Sequence, residues 1–125
     1  MSKTVLIVED NVLNMKLFND LLEAHGYHTL KAVDGGQVLK MVREHRPDLI
    51  LMDIQLPTIS GFQITQQLKE DDELRSIPII ALTAFAMKGD EDRIRGAGCD
   101  AFLAKPVTVA SFLKAVAEFL EPVAA

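Results

Sequence analysis

The sequence has few of the residues that disulfide-rich domains and nucleic-acid-binding proteins depend on. Its 125 residues include one cysteine, Cys99, one tyrosine and no tryptophan. A single cysteine cannot form an internal disulfide, which favours a reducing compartment and hence the cytoplasm. Scarce aromatic residues leave little surface on which bases could stack. We therefore expect a domain that is stabilised by its hydrophobic core alone.

Clustered positive charge and long apolar runs are also missing. The chain has 13 basic and 18 acidic residues, a formal net charge of −5, and no run of Lys or Arg. This balance argues against direct binding to nucleic acid. No apolar run approaches the ~20 residues that span a bilayer, and the N-terminus lacks the pattern of a signal peptide. We expect a cytoplasmic protein that neither binds nucleic acid directly nor inserts into a membrane.

The composition is that of one small globular domain. Hydrophobic residues make up 49% of the chain, enough for a core without disulfides or a structural metal. There is no internal repeat, low-complexity segment or long linker. We expect residues 1–125 to form a single domain, with no separate output domain.

Short apolar runs alternate with helical patterns along the whole chain. Residues 4–8, 49–52 and 79–82 are continuous aliphatic runs typical of strands buried on both faces, and residues 27–33 and 101–104 predict two more strands. Apolar residues at helical spacing lie between them, as in the first predicted helix with Leu13, Leu17, Phe18, Leu21 and Leu22. Strand and helix patterns that alternate five times predict an α/β fold, in which helices cover both faces of a parallel sheet.

The fourth predicted helix differs from the others. Residues 87–98 are rich in charge and offer few core anchors beyond Ile94. We interpret this segment as a loosely held, exposed helix. It could be either a solvated face or a movable one.

Polar residues follow four of the predicted strands. Glu9 and Asp10 follow the first strand, Asp53 the third, Thr83 the fourth and Lys105 the fifth. The carboxyl ends of parallel strands meet at one edge of a sheet, where function gathers. Carboxylates repel one another there unless a cation or a proton intervenes, and an oxygen-only set suits Mg²⁺ better than zinc.

Each of these residues also has an ordinary structural explanation. Asp10 or Asn11 could cap the first helix, Thr83 could be a plain strand-end residue and Lys105 a solvated lysine. Asp53 is harder to explain in this way, because the Leu-Pro that follows leaves no helix for it to cap. Their joint placement on successive strand ends favours a functional site.

Four motifs resemble those of response-regulator receiver domains, the CheY-like superfamily. They are residues 8–11 (Val-Glu-Asp-Asn), 51–57 (Leu-Met-Asp-Ile-Gln-Leu-Pro), 82–84 (Leu-Thr-Ala) and 105–106 (Lys-Pro), in the family's order and spacing. The resemblance implies a flavodoxin-like, doubly wound five-stranded parallel sheet in the order 2-1-3-4-5 with five helices.

Two further segments point to a subgroup of that family. Residues 14–18 and 84–90 resemble DivK-type single-domain regulators, which act in α-proteobacterial cell-cycle and stress signalling. The resemblance thus implies a single-domain response regulator in a two-component phosphorelay.

The resemblance also implies a phosphoacceptor and a metal site. Asp53 would take a phosphoryl group from a phosphohistidine on a sensor histidine kinase or a histidine phosphotransfer protein. Glu9, Asp10, Asp53 and the backbone carbonyl of Gln55 would hold Mg²⁺. In-line phosphoryl transfer mainly requires positioning and charge neutralisation, which such a set supplies.

A switch is implied by the same family pattern. Thr83 and Lys105 would contact phosphoryl oxygens, and a cis peptide bond would join Lys105 to Pro106. When Thr83 moves inward, Phe102 would rotate into the space behind it and alter an output face made of the fourth helix, fifth strand and fifth helix. Many receivers have Tyr at this position, and Phe102 could also be a plain core aromatic.

Three other functions fit parts of the pattern. A hydrolase with an aspartyl-phosphate intermediate usually has a second acid two residues after the nucleophile, where this chain has Gln55. A flavodoxin-like cofactor binder needs a Gly-, Ser- or Thr-rich first loop, where Glu9 and Asp10 would repel an anion. A phosphorylation-independent binding module is the third. We expect a phosphoacceptor signalling protein that is not an enzyme, with at most weak autophosphatase activity.

Overall fold

The structure is a computed structural model and describes residues 3–54, 56, 60–84 and 88–121, with backbone alone for residues 88–90. Its strands are β1 (Thr4–Val8), β2 (His28–Ala32), β3 (Leu49–Asp53), β4 (Ile79–Thr83) and β5 (Ala101–Ala104). Its helices are α1 (Val12–Ala24), α2 (Val38–His45), α3 (Gly61–Glu70), α4 (Lys88–Ala97) and α5 (Val109–Leu120). A single 3₁₀ turn, Gly35–Gln37, precedes α2.

The sheet is parallel throughout and has the strand order β2-β1-β3-β4-β5. Both the five-strand alternation and the order implied by the resemblance are confirmed. Every residue of β3 and β4 is buried, as expected for central strands covered on both faces.

Alternate residues of each central strand enter one of two cores. Val5 and Ile7 of β1 pack on the side of α1 and α5, where the rings of Phe18 and Phe112 stack with centroids 4.9 Å apart. Leu6 and other residues of opposite parity pack on the side of α2, α3 and α4. The sheet therefore has helices on both faces.

Two residues predicted to belong to the apolar stripe of α1 do not face the core. Leu13 is 78% exposed and Leu17 is 43% exposed, whereas Met15, Phe18 and Leu22 are buried. The helix carries apolar residues on two faces, and only one of them packs on the sheet.

Lys69 links three segments at the amino ends of the strands. Its ammonium donates to the carbonyls of Arg75 and Ile77, both at 3.0 Å, and to Asp100 Oδ2 at 3.1 Å. The same Asp100 oxygen accepts the N–H of Ile79 at 2.8 Å. Lys69 thus joins α3, the start of β4 and the start of β5.

Within the described part of the chain, no helix is long and apolar enough to cross a membrane.

Candidate functional site

The direction of winding reverses between β1 and β3, which are neighbours in the sheet. From β1 the chain crosses to β2 on one side, and from β3 it proceeds through β4 to β5 on the other. Loops that leave the two strands diverge and open a crevice at their carboxyl ends. Glu9, Asp10 and Asp53 lie at this point.

The residues after β1 divide two roles between them. Asn11 caps α1, since its side-chain oxygen accepts the N–H of Asn14 at 3.0 Å. Of the two residues considered as caps, Asn11 and not Asp10 is therefore the N-cap of α1. Asp10 is exposed, while Glu9 is fully buried and accepts the N–H of Asn11 at 3.3 Å through Oε2.

Lys105 joins the first and third strands through its ammonium group. Its Nζ lies 2.9 Å from Glu9 Oε1 and 3.2 Å from Asp53 Oδ2. The backbone fixes the start of this lysine, because its N–H donates to the carbonyl of Thr83 at 2.7 Å. The peptide bond between Lys105 and Pro106 is cis, as predicted. One ammonium thus partly compensates two buried carboxylates.

The three acids form a compact set of oxygen donors. One carboxylate oxygen from each of Glu9, Asp10 and Asp53 can be chosen so that all lie within 4.8 Å of one another. No His or Cys belongs to this set, and hard oxygen donors are the ligands that Mg²⁺ prefers. The residues present therefore fit a magnesium ion. Gln55, whose carbonyl is the remaining predicted ligand, lies outside the described residues.

Burial and mutual charge govern the protonation of the site. The pKa of Glu9 is raised to about 7, chiefly by burial and further by the hydrogen bond with Asp53 and the charge of Asp53, while Lys105 opposes the shift. Burial alone would lower the pKa of Lys105, but the hydrogen bond with Glu9 and the charges of Asp53 and Glu9 outweigh it, so that the pKa is raised. Lys105 is accordingly a cation at physiological pH.

Thr83 lies on β4, the strand next to that of Asp53, and Phe102 lies on β5, one strand further along the sheet. Thr83 is the last residue of β4 and is fully buried, and its register partner is Ala104 of β5. Phe102 is half-buried and packs against the core on the α4 side of the sheet. The structure thus brings together Glu9, Asp10, Asp53, Thr83 and Lys105, with Phe102 nearby on β5.

Gly61 packs directly against the backbone of the predicted phosphoacceptor. A Cβ atom at this position would lie 2.5 Å from Ile54 Cα and 2.7 Å from the carbonyl oxygen of Asp53. Such contacts are too short for any side chain, so the start of α3 requires glycine here. The helix therefore supports β3 at the end that carries Asp53.

One surface beside the site was missed in the sequence interpretation. Val12 is 80% exposed and, with the exposed Leu13 and Leu17, forms an apolar patch on α1. A groove of about 420 Å³ separates α1 from Lys105 and the residues after it. Leu13 and Leu17 are four residues apart and out of phase with Met15 and Phe18, a signal that the apolar residues occupy two faces.

The chain belongs to the response-regulator family. The model of the response regulator receiver domain matches residues 5–117, nearly the whole chain and every site residue named above. The chain is 60% identical over 120 residues to the polar-differentiation response regulator DivK of Brucella anthropi, with 96% of this chain and 98% of that protein covered. The DivK of Brucella ovis is 58% identical over the same coverage. These relatives establish a two-component response regulator of the DivK type.

Solved structures give the same result for the fold. The receiver domain of the sensor histidine kinase PA1611 of Pseudomonas aeruginosa superposes with a TM-score of 0.87 at 34% identity, over 95% of this chain and 98% of that one. Its structure has a magnesium ion coordinated in the active-site cleft. In this chain, the three acids described above form the corresponding set of oxygen donors at the carboxyl ends of the strands.

Proposed function

We propose that this response regulator accepts a phosphoryl group on Asp53 and signals through a phosphorylation-dependent change in protein binding. The observation that carries the proposal is the position of Lys105, whose ammonium bridges buried Glu9 and buried Asp53. A lysine held beside a carboxylate at the mouth of a sheet neutralises charge that develops on a transferred phosphoryl group.

The transfer uses the side chains of the site in defined roles. A carboxylate oxygen of Asp53 attacks the phosphorus of a phosphohistidine on the donor protein. As the new O–P bond forms, the P–N bond breaks, and the imidazole leaves with the electron pair and takes a proton from solvent. Lys105 and the hydroxyl of Thr83 contact the phosphoryl oxygens.

The acidic residues would hold the metal ion that assists phosphoryl transfer. Glu9, Asp10, Asp53 and the carbonyl of Gln55 would bind Mg²⁺, which supplies positive charge to the phosphoryl oxygens when bound. Binding would also offset the repulsion between Asp53 and Glu9. The product is a phosphorylated signalling protein rather than a turnover enzyme.

The donor would bind beside the site on α1. The apolar patch of Val12, Leu13 and Leu17 adjoins the groove that leads to Lys105. Exposed apolar area next to the reacting carboxylate suits a helical surface of a histidine kinase or histidine phosphotransfer protein.

The output would use α4, β5 and α5, with Thr83 and Phe102 as the switch. Phosphorylation would shift a pre-existing equilibrium of this face toward a target protein in the cytoplasm. Since the similar Brucella proteins are polar-differentiation regulators, we place this chain in cell-cycle or polarity control.

The first experiment measures the intact mass after incubation with a small phosphodonor, with and without Mg²⁺. We expect a Mg²⁺-dependent gain of one phosphoryl group in the natural protein and none in Asp53→Asn. The substitution keeps the size of the side chain and removes its nucleophilic carboxylate.

Circular dichroism of Asp53→Asn provides the control for folding. Phosphorylation of a folded Asp53→Asn variant would place the nucleophile elsewhere. A natural protein that gains no phosphoryl group from small donors or from a histidine kinase would instead be a phosphorylation-independent binding module.

A further inference from the structure

Helix α4 is attached to the rest of the molecule by few apolar contacts. In the part of α4 whose side chains the structure describes, only Ile94 and Ala97 are buried. Gly89 and Gly96 lie within the helix, and a Cβ at Gly96 would meet nothing within 4 Å. Glycine is unfavourable in a helix interior, so the intrinsic helix propensity of α4 is low.

Two arginines on either side of Ile94 supply additional contacts. Arg93 lies over the ring of Phe62 at the start of α3, with its guanidinium carbon 4.8 Å from the ring centroid. Arg95 lies over the ring of Phe102 in β5 at 6.0 Å. Cations at such distances are attracted to the face of an aromatic ring.

Arg95 also forms an ion pair with a residue of its own helix. Its Nε lies 3.4 Å from Glu91 Oε1, four residues earlier, so the guanidinium sits between an acid of α4 and an aromatic ring of β5. The side chain of Phe102 has no hydroxyl group and therefore cannot be fixed by a hydrogen bond. Its ring position depends on what it contacts.

From this geometry we propose that Glu91, Arg95 and Phe102 form a latch that holds the receiver in its unphosphorylated state. The proposal rests on the proposed function above, in which Phe102 rotates toward Thr83 on phosphorylation. That rotation moves the ring away from Arg95 and breaks the cation–π contact. The freed Arg95 and the weakened attachment of α4 then change the charged face presented to a target.

The latch sets the fraction of molecules that adopt the active state before any phosphoryl group arrives. Loss of one exposed cation–π contact corresponds to a shift of roughly two- to five-fold in a two-state equilibrium. Small donors phosphorylate the active state preferentially in this scheme, so release of the latch raises the rate at Asp53 by the same factor.

The test first establishes the contact without phosphorylation. A double-mutant cycle combines Arg95→Gln with Phe102→Leu and measures urea unfolding of the four proteins. A coupling equivalent to a two- to five-fold change in the equilibrium constant supports the latch. Additivity of the two substitutions overturns it.

The second arm measures the phosphorylation rate with a small donor and Mg²⁺. We expect Arg95→Gln to react roughly two to five times faster than the natural protein, and Arg95→Lys, which keeps the cation, to react at close to the natural rate. Arg93→Gln is the matched control, because it removes the same charge from the same helix but leaves Phe102 in contact with Arg95.

The two proposals fail in different ways. Equal rates for the natural protein and Arg95→Gln, or equal acceleration by Arg93→Gln, would overturn the latch while Asp53 remained the phosphoacceptor. Absence of phosphorylation in the natural protein would refute the proposed function, and the double-mutant cycle would still decide whether Arg95 and Phe102 interact.

Discussion

At the scale of single residues, Glu9 is the most deeply buried ionisable side chain that the structure describes. It is fully buried, and its oxygens contact Lys105 and the N–H of Asn11. A carboxyl group in such a place keeps its proton to higher pH, because burial disfavours the charged form. The same residue is a proposed Mg²⁺ ligand, so metal and proton compete for it.

The stability of the metal-free protein should therefore depend on pH through Glu9. Its pKa is raised from an ordinary value of 4.5 to about 7 in the folded state. The folded protein holds a proton that the unfolded chain has released, so the stabilisation is complete below pH 4.5 and is lost as the pH rises through about 7. Between pH 4.5 and 7.5 we expect the free energy of unfolding to fall by about 2–3 kcal/mol more than in Glu9→Gln.

Urea unfolding at several pH values in the presence of a chelator measures this difference. Added Mg²⁺ should abolish the loss at pH 7.5, because a divalent cation favours the ionised carboxylate. Parallel pH profiles for the natural protein and Glu9→Gln would show that the pKa of Glu9 does not differ between the folded and unfolded states.

At the scale of the secondary-structure elements, alanine substitutions at two glycines near the end of α4 should change the stability in opposite directions. Gly96 faces open space, so Gly96→Ala should stabilise the protein by about 0.5–1 kcal/mol through helix propensity. Gly98 has φ +110°, and a Cβ there would lie 2.7 Å from Lys69 Cγ. Gly98→Ala should therefore destabilise the protein by more than about 1 kcal/mol. Thermal unfolding of both variants checks the pair, and shifts of the same sign would contradict it.

The elements were predictable to different degrees from the sequence. Continuous aliphatic runs predicted three of the five strands, and residues 27–33 and 101–104 were predicted as the other two. The polar residues at strand ends predicted which side chains meet at the carboxyl ends of the strands. The orientation of α1 was not predictable, because apolar spacing alone does not say which of two apolar faces packs on the sheet. Arg93 contacts Phe62 of α3 and Arg95 contacts Phe102 of β5, and neither contact between different elements follows from helical or strand spacing. The predicted role of Gln55 stays a prediction.

At the scale of the whole molecule, a change in the exposed surface of α1 should affect phosphotransfer from a partner protein but not from a small phosphodonor. Leu13→Ser should change the free energy of unfolding by no more than about 0.5 kcal/mol, because the side chain is 78% exposed. It should slow phosphotransfer from a histidine-containing partner protein by about ten-fold, if this residue is an anchor of the interface.

The small phosphodonor supplies the control for Leu13→Ser. Its reaction needs Asp53 and the residues around it but no docking surface, so the rate should equal that of the natural protein. Equal transfer from the protein donor to both proteins would show that α1 is not the docking surface.

The side chains that meet at the carboxyl edge of the sheet also define an electrical balance for the molecule. When all are ionised, the carboxylates of Glu9, Asp10 and Asp53 and the ammonium of Lys105 leave a net charge of −2. One divalent cation cancels that charge, and esterification of Asp53 by a phosphoryl group then restores about one negative charge. In the proposed mechanism the resting, metal-loaded site is neutral and the phosphorylated site is not. The signal is thus a single uncompensated charge at the end of β3, placed next to the hydroxyl-bearing end of β4 where the protein can respond to it.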